Sequence, residues 1–360
     1  MKTTKRILVL IVALACLMSV MSLAACDKAG GKGTKVGVAM PTQSLQRWNQ
    51  DGANMKKSLE EAGFVVDLQY ANNEVATQLS QIENMITSGC KVLVIASIDG
   101  SSLGNVLADA KKEKIPVIAY DRLIMETDGV SYYATFDNFK VGELQGKFIE
   151  EKLDLKNAAG PFNIELFAGS PDDNNALFFF NGAMSILQPY IDSGKLNVVS
   201  GQTDFATIAI NEWKTERAQN RMDDLLTANY ATGTKLDVVL SPNDSLALGI
   251  ANALEQGGFV PGTNWPIVTG QDCDVANMKN VIAGKQSMSI FKDTRTLADK
   301  VVEMVKAIIE GTTVPVNDEK TYNNGVKVVP SFLCDPVFAD VNNYEDILIK
   351  SGYYTADQLA

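Results

Sequence analysis

Asp172, Asp173, Asn174 and Asn175 stand in one run, followed within a few residues by three phenylalanines, in the stretch GSPDDNNALFFF (Gly169 to Phe180). Comparable polar groupings recur along the chain at Arg47-Trp48, Asp121-Arg122, Asn243-Asp244, Gln271-Asp272 and Lys292-Asp293. Planar side chains with two polar atoms form hydrogen bonds in pairs; an ionised carboxylate accepts, whereas Arg and Lys donate. Such a set suits a ligand covered with hydroxyl groups, each both donor and acceptor, whose C–H faces can lie on an aromatic ring. A pyranose has this pattern, and Trp48, Trp213 and Phe178 are candidates for its faces. Each charge-assisted hydrogen bond contributes about 1.5 to 3 kcal/mol. A few therefore suffice for a micromolar site, about 8 kcal/mol.

Each grouping has a plainer reading. Asp and Asn before a helix satisfy its free N–H groups, Asn243-Asp244 fits a turn, and Phe179 and Phe180 fit a core. Their recurrence at one kind of position, developed below, favours a site. Histidine is absent from the 360 residues, which removes Ser-His-Asp and Cys-His catalysis and the commonest zinc ligand. No metal and no cofactor is expected. The net charge of -11 argues against nucleic acid, whose phosphates call for clustered Lys and Arg. Cys90, Cys273 and Cys334 lack metal-ligand spacing and read as small buried residues.

The elements that must position the polar groups alternate regularly. Val- and Ile-rich runs read as strands at KVGVAM (Lys35 to Met40), VVDLQYA (Val65 to Ala71), VLVIAS (Val92 to Ser97) and PVIAYD (Pro116 to Asp121). Helical periods lie near Leu45 to Ala62, Thr77 to Ser88 and Ser101 to Lys114. A second series runs through FNIELFAG (Phe162 to Gly169), LNVVSGQ (Leu196 to Gln202), LDVVLSPND (Leu236 to Asp244) and PIVTGQD (Pro266 to Asp272). Its helices fall near Asn174 to Leu187, Glu212 to Thr227 and Ser245 to Gln256. Strands buried on both faces and separated by helices imply parallel sheets with right-handed crossovers. The expected fold is α/β, with two doubly wound parallel-sheet lobes. Ligands of such sheets collect beyond the carboxyl ends of the strands, which is where most of the polar groupings stand. The strand-like run Tyr132 to Asn138 between the series predicts a hinge rather than a loose linker.

At the N-terminus, Lys2, Lys5 and Arg6 precede an apolar stretch from Ile7 to Val20 and the sequence Leu23-Ala24-Ala25-Cys26. This reads as an export signal over residues 1–25, its apolar stretch too short for a comfortable transmembrane helix of roughly 20 residues. Leu-Ala-Ala-Cys resembles the bacterial lipobox, so Cys26 is expected to be lipidated, with residues 26–34 as a flexible tether holding the protein outside the cell membrane.

Long motifs, among them RWNQDGANM, PVIAYDRLI, ATFDNFKVGELQ, GSPDDNNA, LSPNDSLALGI, GQDCDVANMKNVIAGKQSMSIFKDTR and NDEKTYNNGVKVVPS, resemble the bacterial sugar-binding proteins of ABC transporters. The resemblance covers the chain from about Lys35 onward and is greatest to the xylose-binding and multiple-monosaccharide-binding (ChvE-like) branch. The segment QTDFATIAINEW looks more like the multiple-sugar pattern, which argues against strict xylose specificity. The resemblance implies a type I periplasmic-binding fold whose lobes are joined by three hinge crossings, near Phe136 to Asn138, Phe291 to Asp293 and Tyr322 to Gly325. Residues 35–137 plus 292–322 would form one lobe, and 138–291 plus 323–360 the other. It also implies ligand contacts at Arg47, Asp121, Arg122, Asp173, Asn175, Trp213, Asn243, Asp272 and Lys292, to which position adds Trp48. The implied function is capture of a monosaccharide by a monomeric, non-enzymatic receptor and its delivery to an ABC permease with a cytoplasmic ATPase. A receptor that presents sugar to a membrane sensor is the alternative. A secreted carbohydrate enzyme with Asp121 and Asp272 as acid and base is a more distant one.

Overall fold

The computed structural model describes residues 33–360. The expected signal, Cys26 and the tether as far as Lys32 lie outside the described residues. No helix among the described residues is long and apolar enough to cross a membrane.

Strand β1 (Lys35–Met40) sends Val36, Val38 and Met40 to one face and Ala39 to the other, the two-residue period of a strand covered on both sides. Trp48, Met55 and Leu59 of α1 (Gln46–Glu61) cover the first face. After β2 (Val65–Tyr70), the second face receives Ile82 and Met85 of α2 (Val75–Thr87). β3 (Val92–Ile95), α3 (Gly104–Lys112), β4 (Val117–Tyr120) and β5 (Tyr132–Phe136) complete the outward half of this lobe.

The chain changes lobe at Asp137, which caps α4 (Asn138–Lys152) by accepting from the Lys140 N–H. The second lobe then runs through β6 (Phe162–Leu166), α5 (Asn174–Asp192), β7 (Leu196–Val198), α6 (Thr215–Leu225), β8 (Val238–Leu240), α7 (Asp244–Gln256), β9 (Ile267–Val268), α8 (Val275–Ile282) and β10 (Met288–Phe291). Its parallel sheet has the order β7-β6-β8-β9. Ile149, Ala183 and Leu187 pack on one face, and Met222, Leu246 and Ile250 on the other. Helices α4 and α5 approach so closely that a Cβ on Gly142 would lie 1.9 Å from the Phe179 carbonyl oxygen.

At Lys292 and Asp293 the chain returns to the first lobe, where Leu297, Val301 and Val305 of α9 (Thr294–Glu310) join the core behind β1. β11 (Ser331–Cys334) then pairs in parallel with β5, giving a six-stranded sheet of order β11-β5-β4-β3-β1-β2. β12 (Val337–Asp340) instead lies antiparallel to β10. This corrects the expected boundary at 322/323. Residues 323–334 belong to the first lobe, because Tyr322 and Val329 are buried in its core and β11 takes up the free edge of β5. The third crossing is therefore at Asp335 and Pro336. Two α/β lobes with parallel sheets are what the alternation of strand and helix predicted.

Candidate functional site

The carboxyl ends of both sheets open on one cleft between the lobes. All ten expected positions line it: Arg47, Trp48, Asp121, Arg122, Asp173, Asn175, Trp213, Asn243, Asp272 and Lys292. Leu45, Phe179, Ser245 and Gln271 complete the wall.

The charged groups meet across the gap. Arg47, just inside α1, donates from Nη1 to Asp272 of the second lobe at 2.9 Å and from Nη2 to Asp121 of its own lobe at 2.8 Å. Lys292 lies 3.1 Å from Asp272 and 3.9 Å from Asp121. Arg122 Nε is 3.1 Å from Asp173 Oδ2, again across the lobes. Three carboxylates thus face three cations, a balanced set that favours a neutral ligand able to donate and accept. With these pairs in place the cleft keeps about 40 Å³ of open volume. An occupant must therefore take over hydrogen bonds that these groups make with one another.

Several residues serve scaffold and cleft together, so the two sequence readings are not exclusive. Asp173 caps α5 through Oδ1, which accepts from the Asn175 N–H at 3.0 Å, and offers Oδ2 to Arg122. Asn243 caps α7 by accepting from the Leu246 N–H. Asn175 reaches over the crossing: its Nδ2 donates to the Asp121 carbonyl at 2.6 Å, and its Oδ1 accepts from Tyr133 and Asn138. Asp121, Trp213 and Asp272 have φ of 58°, 55° and 100°. Left-handed backbone at non-glycine residues is costly and persists where surrounding structure enforces it.

The rings differ from expectation at one place. Phe178 stacks on Tyr322, centroids 5.1 Å apart, away from the cleft, whereas Phe179 lines it. One residue along a helix turns the side chain by about 100°, and the sequence FFF does not say which ring faces in. Phe179 meets Trp213 edge-on at 6.3 Å, with the Lys292 ammonium 5.7 Å from its centroid. Trp48 lies 5.1 Å from the Arg122 guanidinium. Trp213 Nε1 and Gln271 Oε1 are buried without a hydrogen-bond partner, a donor and an acceptor available at the cleft wall.

Sequence reasoning missed the support beneath Arg47. Asp51, one helical turn on, accepts from Arg47 Nε and from the Tyr120 hydroxyl and is fully buried. The signal was its i,i+4 spacing on a helix. Asp121 is also buried, but Arg47, Lys292 and Arg122 outweigh that burial and hold its carboxyl below the ordinary range. It stays ionised and makes a poor proton donor, unlike the acid of a glycosidase.

Other carboxyls are pushed the opposite way. Burial, with the Asp121 charge, raises Asp51 to about 6 against the pull of Arg47. Burial, with the Asp272 charge, raises Asp274 to about 7 against Arg47 and Lys292. Both titrate near 3.8 when unfolded, so between about pH 4 and 7 the folded state binds more protons. Stability should fall as pH rises through that window. The unfolding temperature of the ligand-free protein is expected to be higher at pH 5 than at pH 7.5, and a rise towards pH 7.5 would contradict these environments.

A cleft with balanced charge and aromatic walls, set between lobes joined by three short crossings, is the architecture of a two-lobed binding protein. The chain belongs to the periplasmic binding protein family: the family model described as a periplasmic binding protein domain matches residues 36–313. The chain is 56% identical over 332 residues to the multiple sugar-binding periplasmic receptor ChvE of Rhizobium radiobacter, covering 92% of this chain and 93% of that protein. It is 39% identical to the D-xylose-binding periplasmic protein of Escherichia coli, over 92% and 94% of the two chains. An ABC transporter solute-binding protein from Clostridium phytofermentans, solved with bound β-D-glucose, superposes with a TM-score of 0.88 at 64% identity, covering 91% of this chain and all of that one.

Proposed function

We propose that the protein is the solute-binding receptor of an ABC importer, holding one monosaccharide between its lobes and presenting it to a permease driven by a cytoplasmic ATPase. The observation that carries this reading is the cleft itself: three carboxylates, three cations and three amides interleaved with Trp48, Phe179 and Trp213. Paired acceptors and donors match vicinal hydroxyls, and the rings match the C–H faces of a pyranose. The relatives point the same way, since those named above bind several sugars, D-xylose or glucose by their descriptions.

The ligand class is an aldose of the xylose, arabinose, glucose or galactose type, with more than one accepted. The greater identity to the multiple-sugar receptor than to the xylose-binding protein supports that breadth. Only ligand that binds the closed arrangement better than the open one draws the lobes together; Arg47 with Asp272 and Arg122 with Asp173 place charge on both sides for that purpose. The protein acts as a monomer, outside the cell membrane, anchored by lipid on Cys26.

Thermal unfolding with xylose, arabinose, glucose, galactose, ribose and fructose at millimolar concentration tests the reading. A sugar at one hundred times its dissociation constant should add about 2.7 kcal/mol of stability. Several aldoses are expected to raise the unfolding temperature by several degrees. A flat response to every aldose would remove the sugar assignment.

A further inference from the structure

The C-terminal segment ends against the back of the Arg47–Asp272 bridge. Tyr354 sits 5% exposed among Cys273, Met278, Leu348 and Leu359 of the second lobe. Its hydroxyl donates to the Cys273 carbonyl at 3.0 Å and accepts from Gln46 Nε2 at 2.9 Å and Gln50 Nε2 at 2.8 Å, both on α1 of the first lobe. One donor and two acceptor positions are all that a phenol offers, so this hydroxyl is saturated, and two of its three bonds cross between lobes. The other ends of the two glutamines cross as well. Gln46 Oε1 accepts from the Val275 N–H at 3.3 Å, and Gln50 Oε1 accepts from the Tyr353 hydroxyl at 3.3 Å.

These contacts form a chain with one direction. Asn54 Nδ2 donates to Thr294, whose hydroxyl lies 3.0 Å from that of Tyr353; Tyr353 donates to Gln50, Gln50 to Tyr354, and Tyr354 to Cys273. Aligned hydrogen bonds polarise and strengthen one another. The ends of the chain matter for the cleft. Gln46 and Gln50 flank Arg47 on α1, and the Cys273 carbonyl belongs to the residue after Asp272, in a stretch where both residues have positive φ.

We propose that Tyr354, assisted by Tyr353, is a latch: a positioning residue that sets α1 against the Asp272–Cys273 turn, aligns Arg47 with Asp272, and favours the closed lobes without touching ligand. The latch rests on the sugar-receptor reading only for its effect on affinity. Its bonds to Gln46 and Gln50 join the lobes in the closed arrangement, so removing the hydroxyl should shift the population towards the open form.

Tyr354→Phe keeps the ring in its apolar seat and deletes only the hydroxyl. On the full chain, the dissociation constants for D-glucose and D-xylose should rise about 5- to 30-fold, the effect of two lost hydrogen bonds. Spin labels placed one on each lobe should report a longer mean separation in the absence of sugar. Gln50→Ala should act in the same direction, and the double variant should show less than the sum of the two effects, because both remove the same bond. A merely structural tyrosine would lower the unfolding temperature and leave lobe separation and affinity within twofold of the unaltered protein. That result, or full additivity of the two changes, overturns the latch. If neither sugar binds even the unaltered chain, the ligand assignment fails, while the sugar-free label distances still decide the latch.

Discussion

Arg47→Ala is expected to weaken monosaccharide binding by about 3 kcal/mol or more, over a hundredfold in dissociation constant, and to destabilise the protein as well. The side chain is buried and donates to Asp51, Asp121 and Asp272 together. Truncation leaves three carboxylates in the interior, with Lys292 still beside Asp121 and Asp272 and Arg122 still near Asp121. Breaking a buried pair by removing one partner costs about 3 to 5 kcal/mol, because the charge left behind has been desolvated without compensation. The acids should relieve this by holding protons, so the loss in unfolding temperature should be larger at pH 8 than at pH 5. Arg47→Lys keeps the charge but loses the planar fork that serves three acids at once, and an intermediate affinity is expected. Titration calorimetry with the best-bound aldose, paired with melts at the two pH values, checks both parts. Affinity within threefold of the unaltered protein would take Arg47 out of the site.

Gly169→Ala is the second large effect, and it reaches the cleft through a neighbour. A Cβ at this position would lie 1.9 Å from Cη2 and 2.3 Å from Cζ2 of Trp213. The indole therefore has to retreat by more than an ångström. Trp213 is held by left-handed backbone at itself and at Glu212, and the residue is buried with its ring edge-on to Phe179, so little slack exists away from the cleft. Overpacking of this kind costs about 1 to 3 kcal/mol of stability, and misplacing a contact by about 1 Å can cost on the order of a hundredfold in function. Both losses are expected from the single methyl group. Trp213→Leu in the Gly169→Ala background should restore much of the unfolding temperature without restoring sugar affinity. Recovery of affinity in that double variant would show that the ring's place at the wall is not what the glycine protects.

The sequence alone determined the alternation of strands and helices, hence two parallel-sheet lobes, and the row of polar residues beyond their strand ends. These follow from local rules: period two, period 3.6, and the tendency of strand ends in parallel sheets to face one opening. Asp121, directly after β4, and Lys292, directly after β10, could be placed on sight for that reason. The same local rules leave other matters open. Whether Phe178 or Phe179 faces the cleft depends on the rotation of α5 against α4, which the close approach at Gly142 sets. That Asp173 both caps a helix and pairs with Arg122 needs the two lobes in register. The third crossing moved to Asp335 and Pro336 because β5 had a free edge for β11, a fact about the finished sheet and not about the run of residues near Tyr322. Only the folded chain sets Tyr354, near the C-terminus, against Gln46, 308 positions earlier. Periodicity reports what a residue's near neighbours do, whereas contacts at such separation arise from how whole lobes dock.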